Sequence, residues 1–197
     1  MPLALQTVRH QPAFLGGLAY TSATLTWAAG SWFQARRIQG IGPGRFLVAG
    51  FGILILGIAG FLLVLLPDVP PELSIVVWGV AGFGMGLSYS TPSLVVLSEA
   101  PAEEQGAATA GLQLSDVLGA SLGTGVGGAL VALGVRAGSP PWEGIAATFG
   151  VAAVVGIAGL VLTRRLGART AAGLPPVHLA AVRARPVRDA GDSAAVG

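Results

Sequence analysis

The sequence predicts an all-α fold, a polytopic bundle of about five membrane-crossing helices. Three observations predict it. Of the 197 residues, 53% are hydrophobic and only 10% are charged, against about a quarter charged in an ordinary soluble domain. The apolar residues come in runs, and about twenty in a row are enough to cross the hydrocarbon core of a bilayer. Short segments rich in Gly, Pro and charge separate the runs.

Residues 1–13, MPLALQTVRHQPA, are too short to span. They read as the end of a preceding helix followed by a turn at Gln11-Pro12. Residues 14–33, FLGGLAYTSATLTWAAGSWF, form the first span, with Trp27 and Trp32 near its end as interfacial anchors. Arg9 ahead of an apolar run also fits a signal peptide. The length of the run, Tyr20 with its neighbouring threonines, and an ending in Trp-Phe-Gln instead of small residues speak against cleavage. Residues 34–45, QARRIQGIGPGR, are expected as a loop carrying Arg36, Arg37 and Arg45, because Gly40, Gly42, Pro43 and Gly44 supply turn chemistry.

The second span is 46–66, followed by PDVPPE with Asp68 and Glu72. The third, 73–98, carries Gly82, Gly86 and Ser90 at four-residue spacing, a stripe of small side chains on one helix face. Tyr89, Ser90, Thr91 and Ser93 cluster around Pro92. A proline inside a span frees a backbone carbonyl one turn earlier and bends the helix. Two readings stand side by side: a bend beside a substrate cavity, and a tolerated kink. Residues 99–105, EAPAEEQ, form an acidic connector whose glutamates favour the N-terminus of the helix that follows.

The run 106–135 contains a single charge, Asp116. Wound as a helix, it carries two stripes. Ala107, Gly111, Ser115, Gly119, Gly123 and Gly127, each four residues from the last, form a small-residue ladder that lets another helix approach closely. Thr109, Gln113, Asp116, Ala120 and Thr124 form a polar stripe beside it. A carboxylate at that depth costs several kcal/mol facing lipid, so it is expected to face a wet cavity or a partner. A helix lining a translocation path fits both stripes, and so does a structural hydrogen bond from Asp116 to a neighbouring helix. After the loop RAGSPPWE comes the last span, 144–163, ending at Arg164 and Arg165. The transmembrane domain is thus 14–165, and the Ala-, Arg- and Pro-rich tail 166–197 is expected to be disordered.

With five spans, Arg36, Arg37, Arg45, Arg164, Arg165 and Arg169 fall on one side, and Arg9 and Arg136 on the other. The positive-inside rule then puts the N-terminus outside and the tail in the cytoplasm. The absence of cysteine excludes disulfides and thiolate metal sites. His10 and His178 lie outside the spans and make no metal site. Arginine without aromatic interleaving points to membrane orientation and not to nucleic acid. Gly123, Gly125 and Gly128 match G-x-G-x-x-G, but inside a span and with no preceding strand, so no dinucleotide cofactor is expected. No catalytic set is found, and nothing points to an enzyme.

The order of these features resembles the C-terminal half of a major facilitator superfamily transporter, near the bacterial drug:proton antiporter branch. The resemblance covers residues 1 to about 166. Its most specific parts are GSWFQARR at 30–37 with Gly44-Arg45, GFGMGLSYSTPS at 82–93, and GLQLSDVLGASLGTGVGGAL at 111–130. It implies five of six helices of such a half, beginning inside the first, in the plasma membrane. It also implies proton-coupled transport or efflux of a small solute. Gln113 and Asp116 would face a central cavity, with Tyr89 to Pro92 near it and Asp116 a candidate proton carrier. Residues 34–45 lack the acidic residue of the family's corresponding loop, and the antiporter signature belongs to the other half. Because one half supplies one wall of a cavity, the implied partners are the lipid bilayer, the solute, and either a complementary N-terminal half or a second copy. The alternative is a membrane interaction protein that transports nothing and assembles through its small-residue faces.

Overall fold

A computed structural model describes residues 2–170, which form seven helices and no strand. They are α1 (Pro2–Thr7), α2 (Ala13–Ile41), α3 (Pro43–Val64), α4 (Leu73–Ser88), α5 (Ser90–Glu99), α6 (Gln105–Arg136) and α7 (Pro141–Thr170). Four stretches are long and apolar enough to cross a membrane: Pro43–Val64, Leu73–Leu97, Gln105–Arg136 and Pro141–Arg165. The chain is therefore a helical membrane protein.

Of three expectations, one is met in part and two need correction. The first concerns the span 14–33. It does form a helix, but α2 is not among the four apolar stretches, since Thr21, Ser22, Thr24, Thr26 and Ser31 interrupt its hydrophobic residues. The second concerns the loop 34–45, which is almost entirely helical. Gly42, at φ 89, makes the whole turn, and Pro43 opens α3 at its first position. Only glycine tolerates that φ at little cost, and proline is pre-set for a first helical residue. Arg36 and Arg37 thus lie on the last turns of α2, and Arg45 on the first turn of α3. The third concerns the C-terminus: α7 runs on to Thr170, into the stretch expected as tail. Residues 171–197 lie outside the described residues.

The bundle is built outward from α4. On one side α2 runs parallel to it, because Ala23 meets Gly82 and Gly30 meets Gly86. These glycines let the two backbones touch: a Cβ on Gly30 would stand 2.6 Å from the Phe83 carbonyl, and one on Gly82 or Gly86 would collide with the Ala23 or Trp27 carbonyl. The stripe foreseen at Gly82 and Gly86 is thus a packing face. Hydrogen bonds run along the same seam. Ser22 Oγ donates to the Ile75 carbonyl at 2.7 Å, Thr26 Oγ1 to Gly79 at 2.7 Å and Ser31 Oγ to Gly86 at 3.3 Å. The polar side chains that dilute α2 are in this way spent on α4. Such bonds contribute about 0.6 kcal/mol each on average in a membrane.

On the other side of α4 lies α3, antiparallel, with Gly50 against Gly84 and Gly57 against Ala81. Beyond it lies α7, where Gly156 meets Ile55 and Gly159 meets Phe51. An aromatic cluster joins these helices at one end: the Phe61 ring stands 5.6 Å from Trp78 and 4.7 Å from Phe149. Ala4 of α1 packs into the core there with Phe61, Leu65 and Ile145. Arg9 locks this end, its guanidinium donating to the Leu66 and Val69 carbonyls at 2.5 Å each.

The outermost helix is α6, covered on α7 only toward its C-terminus. There Thr148 Oγ1 donates to the Gly127 carbonyl at 3.2 Å, and Gly144 sits against Val131. Of its most apolar stretch only 6% is buried, against 44% for Leu73–Leu97.

Candidate functional site

The site starts from Pro92. Lacking an N–H, it leaves the Ser88 carbonyl without its helical donor, and its ring crowds that carbonyl. The helix is interrupted at Tyr89, between α4 and α5, while the backbone there keeps helical angles, φ −62 and ψ −43. The break therefore presents a tyrosine at the middle of a membrane-crossing segment. Thr91 and Ser88 turn their hydroxyls back onto the helix, to the Leu87 carbonyl at 3.5 Å and the Gly84 carbonyl at 3.1 Å.

Three helices converge on Tyr89. The ring of Trp27, from α2, meets the tyrosine ring edge-on with centroids 5.3 Å apart. From α6, Asp116 accepts the tyrosine hydroxyl proton at Oδ2, at 2.9 Å. Tyr89 remains 44% exposed, and Asp116 is exposed on the uncovered side of α6. Among the described residues no ion pair compensates the carboxylate. An intramembrane carboxylate held by one hydroxyl needs a proton or a countercharge to be stable facing lipid or a partner. What the arrangement can do chemically is hold a carboxyl group in place through a tyrosine hydroxyl.

Below this triad lies a buried polar link. Gln34, 2% exposed, donates from Nε2 to Thr91 Oγ1 at 2.8 Å, tying the last turns of α2 to α5 just past the break. Thr91 is fully buried, so it is a structural acceptor and not an open pathway residue. Ser90 and Pro92 are half-buried.

The rest of the expected pathway is not gathered here. Gln113 is exposed on α6. Thr109 and Thr124 donate to their own helix, at the Gln105 carbonyl (2.8 Å) and the Ala120 carbonyl (2.7 Å). Of the small ladder, Gly127 meets Thr148, whereas a Cβ on Gly111, Gly119 or Gly123 would have open space around it among the described residues. At the arginine-rich end, Arg36 lies over the Trp32 ring at 4.2 Å, while Arg37 and Arg45 are exposed.

Two of the hollows in the fold are open grooves. One of about 420 Å³ is bounded by Ser22, Thr26, Ile53, Ile75 and Phe83 among others. The other, about 450 Å³, lies along α6 at Ala120, Ser121, Thr124, Gly125 and Gly128. Neither includes Tyr89 or Asp116. Among the described residues no group of His, Asp and Glu could hold a metal ion.

Trp27 and Gln34 are the site residues that the sequence reading missed. A signal for Gln34 existed: Ser22, Thr26 and Gln34 fall on one four-residue period, a polar stripe that continues past the expected end of the first span. No protein-family model, no curated protein and no solved structure matches this chain.

Proposed function

We propose that the chain is one half of a proton-coupled solute transporter of the plasma membrane, working with a complementary half or a second copy. The observation that carries this is the Tyr89–Asp116 hydrogen bond at a helix break, on a face that the described residues leave uncovered. Ionisable groups inside membranes mark ion and solute paths by default, and interrupted helices line cavities. Asp116 takes and releases the proton, Tyr89 holds it in place, and a partner's surface supplies the opposite wall. In this reading α2 is a fifth crossing, made possible by the hydroxyls it spends on α4. The arginine-rich end is then cytoplasmic and the N-terminus outside.

The test is to tag the tail, isolate the protein from its own membranes with whatever accompanies it, and reconstitute it in vesicles. Internal pH is then followed as gradients of small neutral and cationic solutes are imposed. Solute-driven proton movement that disappears with Asp116→Asn supports the assignment. Unchanged movement in that variant would remove the carboxylate from the mechanism.

One observation favours a second reading, a membrane interaction protein that moves nothing: the open glycines Gly111, Gly119 and Gly123. A companion protein retained by vesicles that carry no solute or proton would establish it in place of the first.

A further inference from the structure

The arginines of this chain are not all used alike. Arg9 is bonded to two carbonyls, and Arg36 rests on an indole ring. Arg45, Arg164 and Arg165 are exposed, and among the described residues none has a hydrogen bond, ion pair or ring contact. They nonetheless fall at one level of the bundle. Gly156 against Ile55 and Gly159 against Phe51 fix the antiparallel register of α3 and α7. Less than two turns further along, that register sets Arg45 level with Arg164 and Arg165. No acidic residue occurs in α3 or between residues 144 and 170; the described carboxylates at this end, Glu103 and Glu104, lie on the connector before α6. Three like charges gathered on adjoining helices repel one another unless an anion sits among them.

We propose that Arg45, Arg164 and Arg165 form a binding site for the phosphate group of an anionic phospholipid, where the α3–α7 pair meets the membrane surface. Guanidinium groups match phosphate oxygens in paired hydrogen bonds. Basic pockets between membrane helices are places where anionic headgroups bind. Val161 and Leu162, both exposed one turn deeper, give an acyl chain an apolar bed that a free phosphate ion would not use. The site needs only that α3 and α7 cross the membrane, and it stands or falls apart from any transport activity.

The full chain, purified in mild detergent, is titrated with dioleoylphosphatidylglycerol, with cardiolipin and with dioleoylphosphatidylcholine, and retained lipid is counted by native mass spectrometry. The expected result is preferential retention of an anionic lipid. Arg45→Gln and Arg164→Gln should each weaken it about five-fold, and Arg37→Gln, on α2, should leave it unchanged. Excess inorganic phosphate should not displace the lipid. Equal retention of the anionic and zwitterionic lipids by the unaltered chain would overturn the proposal without recourse to any variant. Displacement by inorganic phosphate alone, or an equal loss in Arg37→Gln, would overturn it as well.

Discussion

At the scale of single residues, Gln34 and Asp116 occupy opposite positions. Gln34 is buried with a defined acceptor, so its truncation removes a bond and strands Thr91 in the interior. Gln34→Ala should destabilise the bundle by about 1–2 kcal/mol, read as a lower midpoint of unfolding in mixed micelles; an unchanged midpoint would show that the bond is idle. Asp116 is exposed, so its neutralisation should cost the isolated chain little. Tyr89→Phe, which removes only the hydroxyl, should likewise keep the fold while releasing the carboxylate, visible as a changed infrared carboxylate band. The two residues were not equally legible. Asp116 stands out as the single charge of a long apolar run. Its pairing with Tyr89 is invisible in the sequence, because the partners lie on different helices and no spacing rule connects them. Gln34 was missed because the Gly-Pro signals of residues 40–44 drew the helix end too early, when one residue, Gly42, was all the turn required.

At the scale of helices, glycine has two different roles in this chain, and the sequence writes them identically. Gly82 and Gly86 recur every four residues, as do Gly119, Gly123 and Gly127. The first pair lies backbone to backbone with α2, while Gly119 and Gly123 face open space among the described residues. A four-residue period reveals a smooth face; what lies against it depends on where the other helices run. The contrast is testable. Gly86→Leu should lower stability by about 1–3 kcal/mol or more through overpacking, whereas Gly119→Leu should shift it by less than about 0.5 kcal/mol. If a companion binds this face, Gly119→Leu should release it without loosening the chain itself. The break at Tyr89 was legible in full, since the chemistry of Pro92 dictates it locally. The number of apolar crossings was not. A helix such as α2 trades hydrophobicity for hydroxyls, and only the α4 carbonyls that accept from Ser22, Thr26 and Ser31 make that trade intelligible.

At the scale of the whole molecule, coverage is uneven. Helices α2, α4 and α3 form a closely packed slab, and α6 stands at its margin with nearly all its surface open. The absence of native cysteine makes this asymmetry easy to examine. Single cysteines placed at Gly119 and at Gly84 and challenged with a membrane-permeant maleimide should react quickly at the first and hardly at all at the second. Protection at position 119 in native membranes, lost after dilution in detergent, would locate the companion surface on α6.

The single-residue link at Gly42 bears on how such a molecule is made. A segment as polar as α2 has little tendency to leave the translocation channel sideways by itself, and one residue of slack prevents it from waiting far from α3. If α2 is the fifth crossing proposed above, the two enter the lipid together as a hairpin. The hydroxyls on the first arm stay unsheltered until α4 has been synthesised and can accept them. Ribosome-bound chains ending near residue 70 should accordingly hold α2 at the channel, extractable by alkali, and chains ending beyond residue 100 should release it into the bilayer.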